Sequence, residues 1–181
     1  TVKEKDEAIL RCVNSYKCNA QKIGQLIHFA SKKSLNIDGF GEKQILQFRK
    51  LGFIKNYIDI FKINQFEKKI INLEGWGRTS YRNLINSIEK SKEVEFNKFI
   101  YSLGIRFVGE TISMLLAREF IKTEILISSF DKKVKLLNID GLGPKAINSI
   151  TTYFQNKNNK KMVLNLNRIL EILPYKKSKS N

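Results

Sequence analysis

Apolar positions recur along this chain at intervals of three and four residues. Ile23, Leu26, Ile27 and Ala30 form one stripe, Leu84, Ile85 and Ile88 a second, and Phe96, Phe99, Ile100 and Leu103 a third. Further stripes run through Ile112, Leu115, Leu116 and Phe120, and through Ile147, Ile150 and Phe154. A last one, Leu166, Ile169, Leu170 and Leu173, predicts a helix that stops at Pro174. No segment alternates apolar and polar residues in strand fashion, so the pattern predicts an all-α chain.

The breaks between stripes repeat. An apolar residue, a glycine, another apolar residue and a second glycine follow one another in Ile37-Asp38-Gly39-Phe40-Gly41, Leu73-Glu74-Gly75-Trp76-Gly77 and Ile139-Asp140-Gly141-Leu142-Gly143. A looser copy runs Leu103-Gly104-Ile105-Arg106-Phe107-Val108-Gly109. The second glycines stand 36, 32 and 34 residues apart, an internal repeat whose units are each too small to fold alone. The expected architecture is four helix-hairpin-helix units, packed as two pairs in one domain.

Each second glycine falls where a helix begins, and Pro144 directly after Gly143 suits the first helical position because its missing N–H has no partner there. A helix start carries unbonded N–H groups and a partial positive charge, and so attracts phosphate. Glycine removes the Cβ that would keep the backbone away from that phosphate. The candidate DNA-binding residues are therefore Gly39, Gly41, Gly75, Gly77, Gly104, Gly109, Gly141 and Gly143, with Lys43, Arg78, Arg106 and Lys145 as basic neighbours able to contact a second phosphate. Phe40, Trp76 and Leu142, between the glycines, are expected to plug the hairpins into the core.

Charge adds the nature of the partner. Lys and Arg number 33 against 17 acidic residues, a net charge of +16, which concentrates polyanions near the surface. Because 26 of the basic residues are Lys and Asn and Ile are also frequent, compositional drift accounts for part of this surplus; the motif beside it is what points to nucleic acid. No apolar run approaches the roughly 20 residues needed to cross a bilayer, so no membrane partner is expected. Two cysteines exclude a disulfide scaffold and fit a reducing, cytoplasmic setting.

Two other readings of the glycines are weaker. Gly39-Phe40-Gly41 follows no strand and lacks the third glycine of a dinucleotide fingerprint, and no phosphate loop of the nucleotide triphosphatase kind is present. A period near 34 also suits a tetratricopeptide scaffold for protein binding, but such repeats carry no paired glycines at the turn.

The motifs in their order resemble a stretch of the bacterial NAD-dependent DNA ligases. Arg11-Cys12, Cys18-Asn19-Ala20-Gln21 and His28-Phe29-Ala30-Ser31-Lys32-Lys33 precede the first hairpin as in the join between that family's zinc finger and its helix-hairpin-helix domain. The three other hairpins, with Asn83-Leu84 and Ile88-Glu89-Lys90-Ser91-Lys92, continue the resemblance over roughly residues 11 to 154. It implies a clamp on duplex DNA in an enzyme that seals nicks during replication and repair, here a monomer associated with the bacterial nucleoid. NAD and magnesium would act through the adenylation and OB-fold domains. The nearest strings to the family's Lys-x-Asp-Gly motif, Asn36-Ile37-Asp38-Gly39 and Asn138-Ile139-Asp140-Gly141, lack the lysine, so no catalytic residue is expected in this chain.

The resemblance also implies zinc held by four cysteines, of which Cys12 and Cys18 match the second pair and the first pair would precede Thr1. The lone His28, on the apolar side of its helix, is expected to be packed or hydrogen-bonded. The implied division is a half zinc module over 1–28, a helix-hairpin-helix domain over 29–156, and a closing helix with a Lys-rich tail over 157–181. The resemblance implies a fragment of a longer protein, with a BRCT domain cut off or missing after the tail. A free-standing repair or recombination protein is the alternative, disfavoured by the cysteine pair.

Overall fold

Each of the four second glycines does begin a helix. A computed structural model describes residues 19–129 and 134–176, which are helical or in turns apart from two three-residue strands. In the first unit α1 (Asn19–Ala30) leads into the turn at Gly39 and α2 (Glu42–Lys50) leaves it. A linker of α3 (Tyr57–Ile60) and a 3₁₀ turn (Ile63–Phe66) follows. The second unit is α4 (Glu67–Ile70) and α5 (Arg78–Lys90). Strand β1 (Glu93–Glu95) precedes the third, α6 (Phe96–Ser102) and α7 (Glu110–Phe120). After α8 (Thr123–Ser129) comes the fourth, α9 (Val134–Leu137) and α10 (Pro144–Gln155), then α11 (Lys157–Ile169) and strand β2 (Glu171–Leu173).

The predicted final helix therefore ends short of Pro174. Leu170 turns extended (φ −97°, ψ 140°) and β2 runs parallel to β1, pairing Glu93 with Glu171 and Glu95 with Leu173. The N–H of Glu171 donates to the Lys92 carbonyl at 2.8 Å. Three residues are too few for strand alternation to register in the sequence, and each strand depends on a partner far along the chain.

One core runs through all the units. Phe29, Phe48, Phe96, Phe99, Phe120 and Phe154 are fully buried, each contributing about 1.5–3 kcal/mol. The Tyr57 ring stacks on Phe29 with centroids 4.3 Å apart, and burial pushes its phenol well above the usual range, so it stays neutral. Contacts also skip units. His28 of α1 hydrogen-bonds the Tyr101 carbonyl of α6 through Nε2 at 2.7 Å and packs on the Tyr101 ring, so the lone histidine is a packing and hydrogen-bonding residue. A linear solenoid, whose repeats touch only their neighbours, does not make such contacts.

The expected division at 28 and 29 falls inside α1, where Leu26 and Phe29 both enter the core. At the other expected division, Asn156 caps α11, whose Val163 and Leu166 are fully buried. Cys12 and Cys18 lie outside the described residues.

Candidate nucleic-acid interface

The turns of all four units share one backbone. The residue after the left-handed position donates its N–H to the carbonyl three residues earlier: Phe40 to Ile37, Trp76 to Leu73, Leu142 to Ile139, and Val108 to Ile105. In three units the left-handed residue is glycine, at φ values of 77°, 79° and 81° for Gly39, Gly75 and Gly141. In the third it is Phe107, at φ 61°. A side chain in this region costs about 1–2 kcal/mol, which is why glycine is the usual occupant.

Gly104 therefore stands outside the turn, contrary to its place in the looser copy of the repeat. It ends α6, with φ 63° and its N–H on the Tyr101 carbonyl at 3.1 Å, and a Cβ there would lie 3.4 Å from the His28 ring. The structural match to Ile37-Asp38-Gly39-Phe40-Gly41 is Ile105-Arg106-Phe107-Val108-Gly109. In this register Arg106 stands where the other turns carry Asp38, Glu74 and Asp140. Aligning the repeats on their last glycine, instead of searching for two glycines, would have exposed both exchanges.

After each turn, Gly41, Gly77, Gly109 or Gly143 occupies the N-cap of a helix and supplies no capping side chain. The first-turn amides of α2, α5, α7 and α10 consequently have no cap acceptor. At the second unit the Ser80 hydroxyl takes only the N–H of Gly77 itself, at 2.9 Å. The fourth start has one donor fewer because Pro144 has no N–H. A Cβ placed on Gly77, Gly109 or Gly143 would meet nothing within 4 Å, and on Gly41 only the Gln44 side chain at 3.5 Å. Packing within the chain thus leaves room for a side chain at these four positions.

Lys43, Arg78 and Lys145 lie in the first turns of their helices, exposed and without an ion pair among the described residues. The residues at the first helical positions differ in charge. Arg78 adds to the positive end of α5, whereas Glu42 and Glu110 oppose an incoming anion at α2 and α7. Lys33 meets Glu110 at 2.6 Å, a contact that raises the lysine pKa by hydrogen bonding and charge.

The first two units are locked together. Trp76 packs on Phe48 with centroids 5.0 Å apart and donates from Nε1 to Gln47 Oε1 at 2.8 Å, while the Asp38 N–H donates to Ser87 Oγ at 2.6 Å. Their turns flank a cleft of about 380 Å³ lined by Asp38, Gly39, Gln44, Gly75, Ser80 and Asn83 among others. In the second pair, Leu115 of α7 reaches the turn of the fourth unit, where a Cβ on Gly141 would lie 3.3 Å from it. Phe40 and Leu142 are buried and Trp76 is half-buried, so the residues between the glycines do plug the hairpins.

No group of His, Cys, Asp and Glu able to hold a metal exists among the described residues. No helix of the described residues is long and apolar enough to cross a membrane. What the site offers is four uncapped helix starts on one shared core, with Lys43, Arg78 and Lys145 in the first turns of three of them.

Comparison with known proteins agrees with this geometry. The family model of the helix-hairpin-helix motif matches residues 98–163, from α6 to α11. The chain is 39% identical over 186 residues to a DNA ligase of Rickettsia bellii, with 96% of this chain covered. It is 37% identical over 188 residues to a DNA ligase of Rickettsia canadensis and 39% identical over 183 to one of Wolbachia pipientis, with 97% covered in each. The chain spans about a quarter (27%) of the length of these curated relatives. With its glycine turns, shared core and near-complete match, the chain belongs to the helix-hairpin-helix region of the DNA ligase family.

Proposed function

We propose that this chain grips duplex DNA through its sugar-phosphate backbones, without reading base sequence, as the clamp region of an NAD-dependent DNA ligase that seals nicks. The observation that carries this reading is the set of four glycine helix starts, uncapped and open at the Cβ position, with Lys43, Arg78 and Lys145 in the first turns of three of them and without an ion pair among the described residues. Backbone amides at such starts hold phosphate oxygens and carry no sequence information. The net charge of +16 draws the polyanion in.

In this reading Gly41, Gly77, Gly109 and Gly143 let phosphates approach, while Gly39, Gly75 and Gly141 shape the turns that present the amides. The chemistry, with NAD and magnesium, belongs to other domains of the parent enzyme, and zinc to a module to which Cys12 and Cys18 contribute two thiolates.

The test is binding of the 181-residue chain to nicked and intact duplexes of two unrelated sequences across a salt series. Steep salt dependence without sequence preference is expected. Tighter binding to the nick supports the ligase role specifically. Weak binding that vanishes at moderate salt and ignores the nick would sink the proposal.

A further inference from the structure

The third turn breaks the rule that the other three obey. Its left-handed position is held by Phe107, where Gly39, Gly75 and Gly141 stand in the other units. Phe107 is 43% exposed, and it is the single aromatic among the exposed large hydrophobic residues of the described chain. An aromatic ring is thus held in solvent on a backbone that disfavours any side chain. Neither core packing nor turn geometry accounts for it, because glycine satisfies the same turn in three sister units.

The surroundings of the ring narrow its use. The Arg106 guanidinium lies 4.6 Å from the centroid, covering one face by a cation–π contact. A ring so covered cannot slide between two base pairs, which needs both faces. The part of it left exposed lies two residues before the Gly109 helix start. Glu110 opens that helix and pairs with Lys33. The first turn of α7 has no basic residue, where the other three hairpin helices have Lys43, Arg78 and Lys145, and an apolar contact is what the third unit can add there.

We infer that Phe107 packs against the deoxyribose beside the phosphate held at the α7 start, giving the third unit a contact that salt does not screen. The inference rests on the proposed duplex-binding reading. Each phosphate of a DNA strand is joined to a sugar whose carbon-bound edge is apolar, so a ring adjoining a phosphate site meets that surface. Burying it adds to affinity without releasing counterions.

Phe107→Gly and Phe107→Asn test this, because both residues tolerate the left-handed backbone and remove the ring. The measurement is a salt series of the 181-residue chain on an intact duplex, with Tm recorded for each variant. Both variants are expected to bind about tenfold more weakly at every salt concentration, with the slope of log affinity against log salt unchanged. Tm should be unchanged or higher, since strain is relieved. Unchanged affinity in both variants overturns the inference, and so does a loss confined to the slope. A rise in fluorescence of a 2-aminopurine duplex on binding, absent in Phe107→Gly, would mean base unstacking and would overturn it too. Substituting Asn at Gly77 and Gly143 in the same assay separates the two readings. If that double variant also binds normally, the hairpin reading fails; if it alone loses binding, only the role of Phe107 fails.

Discussion

Two kinds of helix start in this molecule make a direct comparison. At α3 and α11 the N-cap is asparagine: the Asn56 carboxamide accepts from the Ile58 N–H, and that of Asn156 from the N–H groups of Asn158 and Asn159. At the four hairpin helices the N-cap is glycine, which caps nothing. Backbone conformation does not force the choice, since Gly41 (φ −81°, ψ −172°) and Asn56 (φ −149°, ψ 178°) are both extended. Asparagine satisfies first-turn amides at α3 and α11. Glycine leaves them without a cap acceptor at the four hairpin starts, which is what the proposed grip on phosphate requires.

Exchanging the two kinds of start is the sharpest way to break this comparison. Gly77→Asn with Gly143→Asn should install side-chain caps that occupy the amides and block close approach. Duplex affinity is expected to fall about 100-fold, roughly tenfold per start, while Tm holds or rises. Isothermal binding and thermal melts on one preparation check both, and unchanged affinity in the folded variant would remove the glycine starts from the mechanism.

The converse change should touch stability alone. Asn56→Ala and Asn156→Ala each remove a cap worth about 1 kcal/mol, lowering Tm by about 2–4 °C, with duplex binding unaltered at temperatures where the chain is folded. A binding defect there would mean that the asparagine starts also face DNA.

A smaller effect belongs to the basic residues. Replacing Lys43, Arg78 or Lys145 by Ala should reduce the salt slope by about one unit for each phosphate no longer neutralised. The fall in affinity should be uniform across sequences. Arg78 and Lys145 are expected to matter more than Lys43, because Glu42 at the α2 start offsets part of that attraction.

The smallest effect is at Lys33. Its pKa is raised in the folded chain by Glu110, so the pair contributes fully below the ordinary lysine pKa and ceases to contribute as pH rises through the folded value. Lys33→Met should therefore melt slightly below the parent protein at neutral pH. That difference should disappear at strongly alkaline pH in melts of both proteins.

Much of this was legible in the sequence for local reasons. Glycine and proline mark turns and helix starts within a few residues of themselves, and Gly41, Gly77, Gly109 and Gly143 all precede helices as their spacing predicts. Apolar stripes such as Phe96, Phe99, Ile100 and Leu103 proved wholly buried because helical periodicity is a property of the strip itself. Gly104 misled for a related reason: a glycine ending a helix and a glycine in a turn look alike in sequence, and both have positive φ. The division at residue 28 follows a motif boundary, whereas α1 continues through it.

By itself the sequence determined the helical class, the four repeats, the helix starts and the excess of positive charge, all of which depend on residues within one or two turns of each other. Tertiary structure alone decided that β1 and β2 pair and that the first two turns share a cleft. Those outcomes rest on contacts such as His28 with Tyr101, 73 residues apart, and Asp38 with Ser87, 49 apart. No local pattern encodes a hydrogen bond whose partners meet only after the core between them has packed.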